Sequence, residues 1–217
     1  MNCKGNCTRD KILEVASRLF ANNGFKGTSV RDIALAAQVN VAAINYHFQN
    51  KQNLYHEIFE LNCQWLGEMV AALAIKYPNN TILFVKNLYL LLLQNSHLFL
   101  NSLKLILDEN VPIPNEDNPS KALGHIGPPG GERLFEVISH ELGANVPLAS
   151  KEWAVRCIFG QVIHLAIIRC SSVGAALSKT GKPFSQDNIE YHLELFTKCI
   201  LEFIQNNPNS SWPLIHR

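Results

Sequence analysis

The residues best equipped to recognise another molecule lie between Thr28 and Lys51. Asn45 carries a carboxamide that can donate and accept at one adenine edge, the bidentate pattern that identifies adenine in a major groove. Ala42 and Ala43 are small enough to meet a thymine methyl, and Val41 can do the same or belong to a core. Tyr46 and His47 are long side chains with polar tips, suited to phosphate or sugar. Thr28 places a hydroxyl near a helix start, where backbone N–H groups attract an anion, and Ser29 and Asn40 stand where helix starts are capped. An enzyme is not expected: the sequence holds no nucleophile elbow and no phosphate-cradling glycine loop. No metal site and no cofactor are expected either.

Such residues need rigid elements to present them. From Thr8 to Asn22, Ile12, Leu13, Ala16, Leu19 and Phe20 fall at i, i+1, i+4, i+7 and i+8, one face of a helix, and Asn23-Gly24 stops it. Ser29, with Asp32 three residues on, has the form of a capping box, and Val30, Ile33, Ala34 and Ala37 give the next helix its apolar face. Gln38-Val39-Asn40 is a short break. Asn40 caps a third helix, Val41 to about His47, which buries Val41, Ile44 and Phe48. A fourth helix runs from near Asn50 to about Lys76, where Tyr77-Pro78 ends it. Two short helices joined by a three-residue turn and packed on a preceding helix make a helix-turn-helix, which lays its second helix in a DNA major groove. Further helices are expected over about 80–94, 96–109, 131–143, 148–172 and 185–206, with a proline- and glycine-rich loop over 110–131. The expected fold is all-α. A three-helix helix-turn-helix domain occupies residues 1–50, and a helical ligand-binding and dimerisation bundle occupies 51–217.

The segments Gly24-Phe25-Lys26-Gly27-Thr28-Ser29-Val30-Arg31-Asp32-Ile33-Ala34, Ala37-Gln38-Val39, Ala43-Ile44-Asn45-Tyr46-His47-Phe48, and Lys51 with Leu54-Tyr55 together resemble the tetracycline-repressor (TetR) family. The resemblance covers about residues 8–56, and the Ala43–Phe48 run with the later Pro/Gly loop resembles its CecR-like branch. It implies a transcription regulator: a repressor that binds a palindromic double-stranded operator as a homodimer and is released by a small apolar or amphipathic molecule. It also implies that Lys51 clamps a phosphate. Position 45, where the family commonly carries tyrosine, would face DNA. In the turn, where the family usually has glycine, this chain has Gln38; if that residue is left-handed, the missing glycine costs roughly 1 kcal/mol.

Bulk properties set bounds. The 217-residue chain has a formal net charge of +1, divided as +2 over residues 1–60 and −1 over the remainder. The sign suits DNA binding at the N-terminus, but the size is too small to carry that inference without the motif. The first ten residues are polar with no apolar run after them, and the stretch Ile82–Leu107 is broken by Lys86, Asn87, Lys104 and other polar residues. A soluble, cytoplasmic protein without a membrane span is expected. The six cysteines (Cys3, Cys7, Cys63, Cys157, Cys170 and Cys199) show no disulfide-scaffold spacing. They leave open an alternative, a redox- or metal-responsive regulator using Cys3/Cys7 or Cys157/Cys170.

Near the C-terminus, Ile189, Leu193, Phe196, Ile200 and Phe203 are spaced 4, 3, 4, 3, an a/d seam. The preceding helix is apolar nearly all round, with Trp153, Phe159 and Val162 among its residues, so it needs cover on more than one face. Both helices are expected to meet a second copy, as the resemblance also implies; a large monomeric core is the alternative. A two-fold dimer sets recognition helices about 34–36 Å apart, as a palindrome requires. By resemblance, a ligand pocket lies under the dimer helices. Its candidate lining is Phe99, Leu103, Leu107, Phe135, Ile138 and His164, with His125 as a gate in the loop. Each of these residues can equally be plain core.

Overall fold

The computed structural model describes residues 3–107, 130–172, 174, 176 and 185–207, and its regular secondary structure there is helical. The helices are α1 (Cys3–Asn23), α2 (Val30–Ala37), α3 (Val41–Phe48), α4 (Lys51–Lys76), α5 (Thr81–Gln94), α6 (Ser96–Ile106), α7 (Gly131–Leu142), α8 (Leu148–Cys170) and α9 (Gln186–Asn206). Most of the expected 110–131 loop, with His125, lies outside the described residues. The described residues form two compact units, one of residues 3–65 and 97–107 and one of 66–96 with those from 130 onward. The division falls inside α4 rather than at the expected 50/51 boundary.

The reason is visible in the first unit's core. Three short helices bury little by themselves. The opening turns of α4 add Leu54, Tyr55 and Ile58 to a cluster of Ile12, Ala16 and Phe20 from α1, Ile33 and Ala37 from α2, and Ile44 and Phe48 from α3. Tyr55 meets Phe20 edge-on at 5.0 Å and Phe25 at 5.2 Å between ring centroids. Position alone suggests that Tyr55 and Phe59 pack between domains. Instead Tyr55 is core and Phe59 packs against the same cluster. Between α1 and α2 the chain turns on two glycines. Gly24 has φ 72°, and a Cβ at Gly27 would run into the carbonyl of Asn23.

The turn between α2 and α3 is closed by Gln38 in left-handed geometry, φ 54° and ψ 46°. Its N–H and that of Val39 return to the carbonyls that end α2, with Val39 N to Ala34 O at 2.9 Å. Glycine adopts this geometry without strain. Gln38→Gly is therefore expected to raise stability, or at worst leave it unchanged, by up to about 1 kcal/mol in thermal melts. A clear loss would mean that the Gln38 side chain contributes more than its backbone costs.

In the second unit α5, α7, α8 and α9 pack together. The core is built from Phe84, Leu88 and Tyr89, Leu134 and Ile138, Ile158 and Val162, and Ile189, Leu193 and Leu201. The start of α5 is tied to α7, where the Thr81 N–H donates to the Glu141 carboxylate at 2.6 Å. A carboxylate there also suits the positive end of the α5 dipole. Among the described residues α4 and α8 are long and apolar enough to cross a bilayer. In α8, Ile158, Val162, Leu165 and Ala166 are core, and a helix covered by protein on more than one side has this composition too.

Candidate nucleic-acid interface

Helix α3 has one face locked and one face offered. Ile44 and Phe48 are buried, and Val41 packs partly buried against the same core. On the opposite side Ala42, Asn45 and Tyr46 stand in solvent, Tyr46 with 83% of its surface exposed, and Ala43 and His47 are half-buried. Tyr46 and His47 meet edge to face at 5.1 Å. Asn40 caps the helix, its Oδ1 accepting from the Ala42 N–H at 2.9 Å, which leaves its amide NH2 to donate to another partner.

At the start of α2 the Thr28 hydroxyl, expected to face an anion, turns inward. Thr28 is buried, and its hydroxyl donates inward to the carbonyls of Gly24 at 3.0 Å and Leu19 at 3.2 Å. A capping box satisfies two of the N–H groups at the start of the helix. Ser29 Oγ accepts from the Asp32 N–H at 3.1 Å, and Asp32 accepts from the Ser29 N–H at 2.9 Å. Hydrogen bonds from Ser29 hold the Asp32 carboxyl below its usual range, so a fixed negative charge stands where a phosphate was expected. Lys51 also differs from the expected free clamp. Its ammonium donates to the carbonyls of Phe25 at 2.9 Å and Thr28 at 3.1 Å, and lies 4.2 Å from the Phe25 ring centroid. One of its three N–H bonds is left to reach outward.

The rigid α2–turn–α3 arrangement, with a polar face on its second helix, agrees with the family comparison. The model of the bacterial regulatory proteins of the tetR family matches residues 12–58. Over these residues the chain is similar to the regulatory proteins of that family. The transcriptional regulator AcrR of Shigella flexneri is 36% identical over 89 residues, 41% of each chain. The transcriptional repressor KstR2 of Mycolicibacterium smegmatis is 36% identical over 58 residues, 27% of this chain and 28% of its own length. The matched segment thus spans less than half of either relative. The crystal structure of the TetR-family regulator PfmR from Thermus thermophilus aligns over 88% of this chain and 97% of its own, with a TM-score of 0.56 and 21% identity, a likeness of fold.

Within the matched residues the structure exposes further polar side chains that were not among the candidate DNA contacts. Arg31 on α2 and its C-cap Gln38 are exposed, and so is Lys26 in the loop before it. The same periodicity that placed the apolar face implied the exposure of Arg31.

The residues expected to form a dimer face divide into two sets. Ile189, Leu193, Phe159 and Val162 are buried inside their own protomer. Phe196 and Ile200 are half-buried and Phe203 exposed at the border of that face of α9, where Trp153 of α8 meets Phe203 at 6.5 Å between ring centroids. The candidate ligand residues also divide. Phe99 (buried), Leu103 (half-buried) and Leu107 (exposed) belong to the first unit, and Ile138 (buried), Phe135 (half-buried) and His164 to the second. Neither unit contains the whole set. His164, expected inside an apolar helix, lies on the exposed side of α8.

Proposed function

We propose that this chain is a one-component repressor. It acts as a homodimer whose paired α3 helices bind a palindromic operator, and a small apolar or amphipathic molecule ends repression. The observation that carries the reading is the α3 face: Asn45, Tyr46 and Ala42 in solvent on a helix anchored by Ile44 and Phe48 in a TetR-family domain. Asn45 reads an adenine edge and Tyr46 meets the backbone. KstR2, named as a repressor, supports the sign of regulation. The outward apolar row of α9 beside Trp153 supports the dimer. Helix α4 belongs half to each unit, which suits a ligand that favours a state with α4 shifted and the recognition helices respaced. Identical recognition-helix separation in ligand-bound and ligand-free crystals would overturn that step.

The DNA-binding reading is tested by selecting bound sequences from random duplex DNA and titrating the winner at several salt concentrations. A palindrome is expected. Asn45→Ala should relax the preference at one base pair in each half-site, at about 1–3 kcal/mol. Tyr46→Ala should weaken all sequences together. No enrichment over random DNA at low salt sinks the reading. The redox alternative is less favoured by the geometry. Cys157 and Cys170 sit thirteen residues apart on α8, about 20 Å along its axis, too far for a bridge within one protomer. Burial also pushes both thiols up, away from the reactive thiolate.

A further inference from the structure

Arg9 joins three helices of the first unit. Its guanidinium pairs with the carboxylate of Glu57 on α4 and lies 5.4 Å from the ring centroid of Phe48. Phe48 is the last residue of α3 and is only 3% exposed. A cation on a DNA-binding unit invites the reading of a phosphate contact. The surroundings argue against that role, because a carboxylate offsets the charge and repels phosphate while the flat side of the guanidinium faces an aromatic ring. Glu57 is held from the other direction too, since Leu54, Tyr55 and Ile58 fix the start of α4 in the core.

We infer that Arg9 is a positioning residue for DNA recognition. Held by Glu57, it braces the end of α3 against α1 and α4, and so sets the attitude at which Asn45 and Tyr46 meet the groove. The inference rests on the DNA-binding reading above. The pair keeps 37% and 26% of its side-chain surface exposed, so water screens it and a few-fold effect is expected rather than a collapse.

Glu57→Gln separates the two roles, because it removes no cation. If Arg9 served phosphate, freeing it from a carboxylate would tighten binding. If it positions α3, specific binding weakens even though the added positive charge helps binding to any DNA. The experiment uses the full chain and the selected duplex, with random duplex as reference, over a range of salt. Glu57→Gln and Arg9→Met are each expected to lower the specific-to-random affinity ratio by about threefold or more, with the salt slope of specific binding unchanged. The double variant should be no worse than either single one, since both break the same pair. Tighter specific binding by Glu57→Gln, a slope smaller by about one in Arg9→Met, or an unchanged ratio in both would overturn the inference. If Arg9→Met fails to fold, Glu57→Gln decides alone, because it leaves the guanidinium over Phe48. A wild-type chain that enriches no sequence defeats the DNA-binding reading itself, an outcome visible before any variant is made.

Discussion

Replacing Lys51 with methionine is expected to lower the melting temperature of the first unit by about 10–20 °C, besides weakening DNA binding. The ammonium holds the carbonyls of Phe25 and Thr28 from the start of α4, ties down the loop that enters α2, and covers the Phe25 ring. Methionine keeps the apolar stem and takes the charged donor from both carbonyls, leaving Phe25 O only the 3.5 Å bond from the Thr28 N–H. Hydrogen bonds to a charged donor contribute about 1.5–3 kcal/mol each, which partial exposure reduces to about 2–4 kcal/mol for the two together. In a unit of this size 1 kcal/mol moves the midpoint by about 4–8 °C. Calorimetry on Lys51→Met, with titration of the selected duplex, separates this role from phosphate clamping. A pure clamp would leave the melting temperature alone and reduce the salt slope by about one. A fall in melting temperature with little change of slope identifies Lys51 chiefly as an internal tie. Both changes together would mean that the third N–H reaches DNA while two hold the loop.

The contrast between Thr28 and Asn40 shows where sequence reading succeeds in this chain. Asn40 and Ser29 are capping residues whose chemistry is complete within three residues of chain, and both cap as their spacing predicts. The left-handed Gln38 is raised by the resemblance alone, through the glycine the family usually carries in this turn. Thr28 does not follow from local logic, because its partners are set by how the end of α1 folds back. The carbonyls of Leu19 and Gly24 take the hydroxyl expected to face phosphate. Tyr55 fails for a related reason. Its ring is needed beside Phe20 and Phe25, thirty or more residues earlier, and no local pattern announces that. In α9 the 4, 3, 4, 3 seam is real as an apolar pattern, but a stripe does not say which neighbour covers it. The structure places Ile189, Leu193, Thr197 and Leu201 in the chain's own core, with Phe196, Ile200 and Phe203 at its border. His164 illustrates the converse, a polar residue on an apolar helix that is polar because its side of α8 faces outward.

That division of α9 leads to the second large effect. Phe196→Glu with Phe203→Glu is expected to split the dimer into folded monomers and to weaken binding to a palindromic operator by a hundredfold or more, on the order of 3–5 kcal/mol. Phe203 is 49% exposed in the protomer, and Leu195 and Cys199 extend the outward row beside Trp153. Burying a phenylalanine contributes about 1.5–3 kcal/mol, and a two-fold axis counts each loss twice. A carboxylate placed in such an interface would also be desolvated without a partner. Each monomer would then hold one half-site, losing the gain that comes from binding both halves at once. Sedimentation gives the oligomeric state, circular dichroism the fold, and titration of whole and half palindromes the DNA side. Ile189→Glu is the control, because Ile189 belongs to the same seam but is 2% exposed within its own chain. It should unfold the second unit rather than release intact monomers. A double variant that remains dimeric, or one that unfolds as Ile189→Glu does, would show that the α9 row is not the dimer surface, and the partner would then have to be sought on another face of the second unit.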